Sequence, residues 1–152
     1  MKDEYGRSLI EMLGILAIGA IMTVTAYETY NVLRTRQNRT LALTEIEQIA
    51  RNTKILLEMR GDYSGVSVDY LIKAGALTDN HAPLGDENWS ITSGFNGETF
   101  SINLTNLTET DCAFFATKKI TWTKTVVVNG IENGRAESCL SAPRNLISFV
   151  VK

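Results

Sequence analysis

Two hydrophobic rhythms follow one another along what reads as a single helix. From Met12 to Tyr27 no charged residue interrupts an apolar run, which extends back to Leu9 and Ile10 with one carboxylate, Glu11, inside it. Further on, Ala42, Ile46, Ile49, Thr53 and Leu56 recur at helical spacing as one largely apolar stripe, while Thr44, Glu47, Gln48, Arg51, Lys54 and Glu58 crowd the opposite side. Between Arg7 and Arg60 there is no proline, and glycine stands only at positions 14 and 19. The pattern predicts one helix from about Ser8 to Met59, about 75–80 Å long at 1.5 Å per residue. Its first half is expected to span a membrane and its second half to bury one stripe. Glu47 with Arg51 and Lys54 with Glu58 are placed for i,i+4 support, and Gly61 supplies a stop.

After Gly61 the rhythm shortens. Asp62 to Gly65 reads as a turn, and Ser67 as the cap of a short helix through Ala74 that Gly75 ends. Thr78 to Glu87, with Pro83 and Gly85, is a loop. Trp89 to Thr92 and Thr99 to Leu104 form a hairpin around an Asn96-Gly97 turn. Thr108 or Thr110 caps a helix carrying Cys112, Phe114 and Phe115. Ile120 to Trp122 and Thr125 to Val128 are further short apolar elements; Asn129-Gly130 and Asn133-Gly134 mark turns, and Leu146 to Val151 is a last β-rich run. The expected fold class is α+β, a long N-terminal helical spine packed on a small antiparallel sheet.

Composition narrows the function. A length of 152 residues suits an anchor plus one domain, and a net charge of −2 gives no global basic field for nucleic acid. Cys112 and Cys139 are an even pair and, in a domain expected outside the cytoplasm, read as one disulfide closing a loop of roughly 28 residues, worth about 3–4 kcal/mol in the chain-entropy picture. Two separate buried thiols are the alternative. His81 is the only histidine and no CxxC spacing occurs, so no metal site is expected. Ser64-Gly65 and Gly94 to Gly97 lack the lysine and strand context of a phosphate loop. The acids from Asp79 to Glu87 form no EF-hand pattern. Neither a catalytic constellation nor a cofactor is expected. For Trp89, Phe95 and Trp122, core packing is favoured over an adhesive surface.

Glu11 carries the functional question, because an ionisable group at membrane depth costs about 2.5–3.5 kcal/mol on insertion scales. Arg7, four residues earlier, offers a pair worth only about 0.2–0.5 kcal/mol, in the poorer orientation. The helix dipole adds a similar small term. A cleavable signal peptide ending near Val24-Thr25-Ala26 would need an uninterrupted apolar core. A plain single-pass anchor is long enough if Leu9 and Ile10 join it. The flanking cations, Lys2 and Arg7 against Arg34, Arg36 and Arg39, give no orientation.

Taken together, Met1 to Tyr27 resembles the class III signal of type IV pilins and pseudopilins: a short leader ending in Gly, a mature chain whose fifth residue is Glu, then an apolar helix. The leader would be residues 1–6, ending at Gly6. Arg7 would be the first mature residue, where the family usually has Phe, Met or Leu, and Glu11 the fifth. The resemblance implies cleavage between Gly6 and Arg7 by a prepilin peptidase, N-methylation of Arg7, and pairing of Glu11 with the terminal amine of a neighbouring subunit during filament assembly. It implies residues 7–30 as the transmembrane and assembly half of the helix, 31–60 as its amphipathic half, and 61–152 as an extracytoplasmic head. The expected partners are other pilin subunits in a homo-polymer, the peptidase, an inner-membrane assembly platform, and membrane lipid before assembly. The order of elements looks most like the type IVb, PilS-like pilins. A pseudopilin of a secretion or DNA-uptake machine, a minor pilin, and a membrane-tethered binding domain are the alternatives.

Overall fold

The computed structural model describes residues 3–85 and 88–152. Helix α1 runs without interruption over Asp3–Leu57 and tightens into a 3-10 turn at Glu58–Arg60. Gly61 stops it by adopting a left-handed conformation (φ 68), from which its N–H reaches the Glu58 carbonyl at 3.0 Å. Packing divides the chain into two units, Met1–Gln37 and Asn38–Lys152.

In the second unit, burial along α1 follows the predicted stripe. Ala42, Ile46, Ile49 and Thr53 are buried, joined by Ala50 and Leu57. Leu57, rather than the predicted Leu56, is the fully buried residue at the end of the stripe, and Leu56 packs partly against the core. The predicted Glu47–Arg51 pair is present at 2.6 Å on the exposed side.

A five-stranded antiparallel sheet completes this core, in the order β1-β2-β5-β3-β4, with β1 Ser90–Ser93, β2 Phe100–Leu107, β3 Thr125–Val128, β4 Ile131–Glu132 and β5 Asn145–Val151. Alternation decides its inner face. Phe100, Ile102 and Leu104 of β2 and Ile147, Phe149 and Val151 of β5 are buried, while Ser101, Asn103, Ser148 and Val150 between them are half-buried. The stripe of α1 and these side chains form one hydrophobic cluster, with Phe115 meeting Phe149 edge-on at 5.9 Å between ring centroids.

The loops follow their local chemistry. Helix α2 (Val68–Lys73) is capped by Ser67, and α3 (Glu109–Thr117) by Thr108, whose hydroxyl accepts from the Asp111 amide. In the β1–β2 connection Gly97 has φ +69, and a β-carbon there would fall onto the Asp62 carboxylate, so the hairpin tip seats against the turn after α1. The Ser64 hydroxyl, then the Ser64 amide, hold the Asp62 carboxyl below its ordinary value. That contribution to stability is present above the ordinary aspartate range and is lost as pH falls through the folded value. Asn129 takes positive φ (50) in the β3–β4 turn, as its Asn-Gly signal predicts. Ile120 to Trp122 forms no strand. The chain leaves α3 at Lys118 and turns before β3, and Trp122 packs beside Phe149 at 6.4 Å.

Cys112 and Cys139 are joined, with Cα atoms 5.9 Å apart, tying α3 to the loop before β5. With 27 residues of separation, the C112S/C139S double variant is expected to lose about 3–4 kcal/mol. Thermal melting of the full chain in detergent should then show a midpoint lower by about 10 °C; an unchanged midpoint would make the bridge dispensable to the fold.

Candidate functional site

Within the first unit, the helix from Leu9 to Val24 is apolar on every side apart from Glu11. Leu9, Ile10, Met12, Leu13, Ile15, Leu16, Ile18, Ile21, Met22 and Val24 are all exposed, at 57–71% of their full surface. An 18-residue window has mean hydropathy 2.1 and none of it is buried, so the helix is long and apolar enough to cross a membrane. A helix hydrophobic all round is stable only when something apolar surrounds it.

The threonine side chains of this segment satisfy themselves locally. Thr23, Thr25 and Thr29 donate back to the carbonyls of Gly19, Ile21 and Thr25 at 2.7, 3.1 and 2.8 Å. Each hydroxyl therefore needs no partner outside its own helix. Glu11 differs: it is exposed, and among the described side chains it has no ionic partner. The backbone of Gly6 and Arg7 is helical, but their environment and the alternative Arg7–Glu11 pair lie outside the described side chains. Gly14 and Gly19 face open space, with nothing within 4 Å of where a β-carbon would sit.

In the second unit, the contact that fixes α3 to α1 has no counterpart among the features read from the sequence. Arg39 Nε donates to Asp111 Oδ1 at 2.7 Å, with 20% and 11% of the two side chains exposed. The guanidinium also lies 5.2 Å over the Phe114 ring. Thr108 donates to the other Asp111 oxygen at 2.7 Å, so one carboxylate joins the cap of α3 to the spine next to Cys112. The only local sign of this is an acid three residues after a threonine cap; its partner lies 72 residues away.

Of the remaining chemistry-bearing residues, His81 is exposed and its amide donates to Asp79 Oδ1 at 2.8 Å. It lines a small cleft of about 140 Å³ with Glu45, Gln48, Asp79 and Trp89. Burial, then the Asp79 charge, push the Glu45 carboxyl up, against a hydrogen bond from Trp89. Asp86 and Glu87, the end of the acidic loop considered for calcium, lie outside the described residues. Trp89 is buried and Trp122 half-buried, whereas Phe95 stands fully exposed in the β1–β2 connection, against the expectation of core packing.

The sequence matches no family model and no curated protein. Its fold, however, recurs in solved structures. TcpA, a type IV pilin from Vibrio cholerae El Tor biotype, superposes with a TM-score of 0.64 at 14% identity, over 76% of this chain and 99% of that one. A type IVb pilin from Salmonella typhi superposes with a TM-score of 0.51 at 20% identity, over 72% of this chain and 97% of its own. A long N-terminal helix, a five-stranded antiparallel sheet and these structural neighbours together give the chain the type IV pilin fold.

Proposed function

We propose that the chain is a structural subunit of a type IV pilus or pilus-like filament. The observation that carries this reading is the lone Glu11 on an all-round apolar helix that continues into a head of pilin fold. Before assembly the helix would hold the protein in the inner membrane by a single pass, with residues 61–152 outside. A prepilin peptidase would cut between Gly6 and Arg7, and the new Arg7 amine would be methylated. An assembly platform would then lift the subunit out of lipid, exchanging lipid contacts for packing against the helices of neighbours. Packing and interhelical polar contacts drive such association inside a membrane, since lipid tails are as apolar as leucine.

Glu11 gives that exchange its register. A carboxylate that costs about 2.5–3.5 kcal/mol in hydrocarbon gains a partner only when the terminal amine of a neighbour arrives beside it. Charge-assisted hydrogen bonds are roughly twice as strong as neutral ones, and stronger again in a low-dielectric setting. A subunit out of register would leave both charges unpaired.

Intact mass and N-terminal sequencing of the protein recovered from membranes of a host with prepilin peptidase test this directly. A chain starting at Arg7, and gaining a pair of hydrogens on reduction of its disulfide, is the expected result. A chain starting at Tyr27 would make it a secreted soluble domain, and an intact Met1 in that host would leave a tethered domain in its place.

A further inference from the structure

Within the unit Asn38–Lys152, the exposed flanks of α1 carry opposite charge. The helix buries Ala42, Ile46, Ile49 and Thr53, which leaves a flank on each side of that stripe. On one side Glu45 faces the 76–89 segment, where Asp79 and His81 line the same cleft. On the other side Glu47, Arg51 and Lys54 border a depression floored by Ala50, Trp122 and Val151. This depression adjoins a second one, of about 300 Å³, that shares Glu47 and Trp122 and brings in Lys118 and Lys119. Glu45 and Glu47 are two positions apart, so their side chains diverge by about 200° around the helix axis. Glu47 is paired with Arg51, whereas Lys118 and Lys119 are exposed to solvent, the Lys118 ammonium lying 5.6 Å over the Phe114 ring. One flank is thus acidic and the other a basic groove with an aromatic floor, at the same level of the helix, on a chain whose overall charge is only −2.

We propose that the Glu45/Asp79 flank of one copy docks on the Lys118/Lys119 groove of the next. The occupant is a second copy because this chain itself carries the complementary surface at the matching height. Opposed charges on opposite sides of one helix cannot meet within a single molecule, nor in a two-fold pair that uses one patch twice. The contact is therefore heterologous, and such contacts build open-ended rows or rings. Rim charges of this kind set encounter rate and register more than final affinity, which suits subunits added one at a time. The inference rests on the filament reading for its biological setting, although its geometry concerns the heads alone.

The test uses full-length chains in phospholipid vesicles. Thr78 lines the acidic cleft and Thr121 the basic groove, and both are exposed. T78C and T121C variants carrying different tags are mixed and mildly oxidised, with the native bridge left intact. Disulfide-linked T78C–T121C heterodimers are expected at least fivefold above either homodimer. D79K should lower that yield severalfold, and K118E/K119E in the T121C partner of the D79K chain should restore it, which a merely structural effect of the substitutions would not do. Predominant T78C homodimers, or a yield indifferent to all these charges, would overturn the docking. Filaments formed by the mixed T78C and T121C chains without this cross-link would remove the head contact and keep the filament reading. Cross-linking without filaments in any host would do the reverse.

Discussion

Replacing Glu11 with alanine is expected to stop filament growth while leaving the protein inserted and folded. The substitution removes a charge from the apolar helix, so insertion becomes more favourable, by about 2.5–3.5 kcal/mol on insertion scales. The loss falls on assembly, where the carboxylate is the one charged group in the apolar run from Leu9 to Tyr27. The threonines there already bond to their own helix. A factor of ten in an equilibrium corresponds to about 1.4 kcal/mol, so losing one desolvated charge pair should lower the yield of sheared filaments by at least tenfold. Carbonate-resistant membrane association and the Cys112–Cys139 bridge should be unchanged. E11Q separates charge from shape, since it keeps the hydrogen-bonding outline and is expected to fail nearly as badly. Native filament yields from E11A would remove Glu11 from the assembly mechanism.

Asn145→Ala is expected to produce the largest loss of stability from a single polar side chain. Asn145 is fully buried at the start of β5. Its amide donates to the carbonyls of Leu107, Leu140 and Ala142 at 3.0, 2.9 and 3.1 Å. Its carbonyl accepts from the Leu140 amide at 2.6 Å and from Asn129 at 2.9 Å. Asn129 in turn reaches the Ser138 carbonyl at 2.8 Å and accepts from the Leu146 amide at 2.9 Å. One side chain thus ties β2, the β3–β4 turn and the loop after Cys139 together. Alanine leaves several of these groups without partners at about 1–3 kcal/mol for each that water cannot reach. A total near 3 kcal/mol, read as a fall of roughly 6–12 °C in melting midpoint, is the expected outcome. Because the network and the disulfide close the same loop, N145A combined with C112S/C139S should depart from additivity. A midpoint within about 2 °C of the native one would mean that the network contributes little net stability.

The contrast between these two residues tracks what a sequence can display. Glu11 stands out because its signal is local: a charge in an uncharged run at a fixed distance from Gly6. The caps at Ser67 and Thr108, the stop at Gly61 and the turn at Asn129-Gly130 are legible in the sequence, since each is set by a few neighbouring residues. The buried stripe of α1 is legible as a period, and its one shift, from Leu56 to Leu57, is a single helical step of about 100°. Asn145 and the Arg39–Asp111 pair give no such sign. An asparagine before an apolar run reads as a turn residue, and it becomes a hub only when three distant segments present unpaired backbone groups to it. Phe95 departs from the expected core packing, whereas Trp122 keeps it although Ile120–Trp122 forms no strand. Hydrophobicity alone cannot tell an aromatic exposed in a loop from one packed under a turn. Gly6 and Arg7 are legible only through resemblance, and the processing they imply is a matter for mass and sequence at the N-terminus.

The sheet order has a consequence for life at high density. Its two edges are β1, four residues long, and β4, only two. Long open edges are templates for pairing with another chain, and proteins blunt them by keeping edge strands short and charged. Here β4 ends on Glu132, and the Asn133-Gly134 turn follows at once. In an array where many copies stand side by side, a longer edge would recruit neighbouring backbones into a continuous, irreversible ribbon. With edges this short, backbone pairing between copies has almost no purchase. Neighbours must recognise one another by side chains, which sequence change can retune without altering the fold.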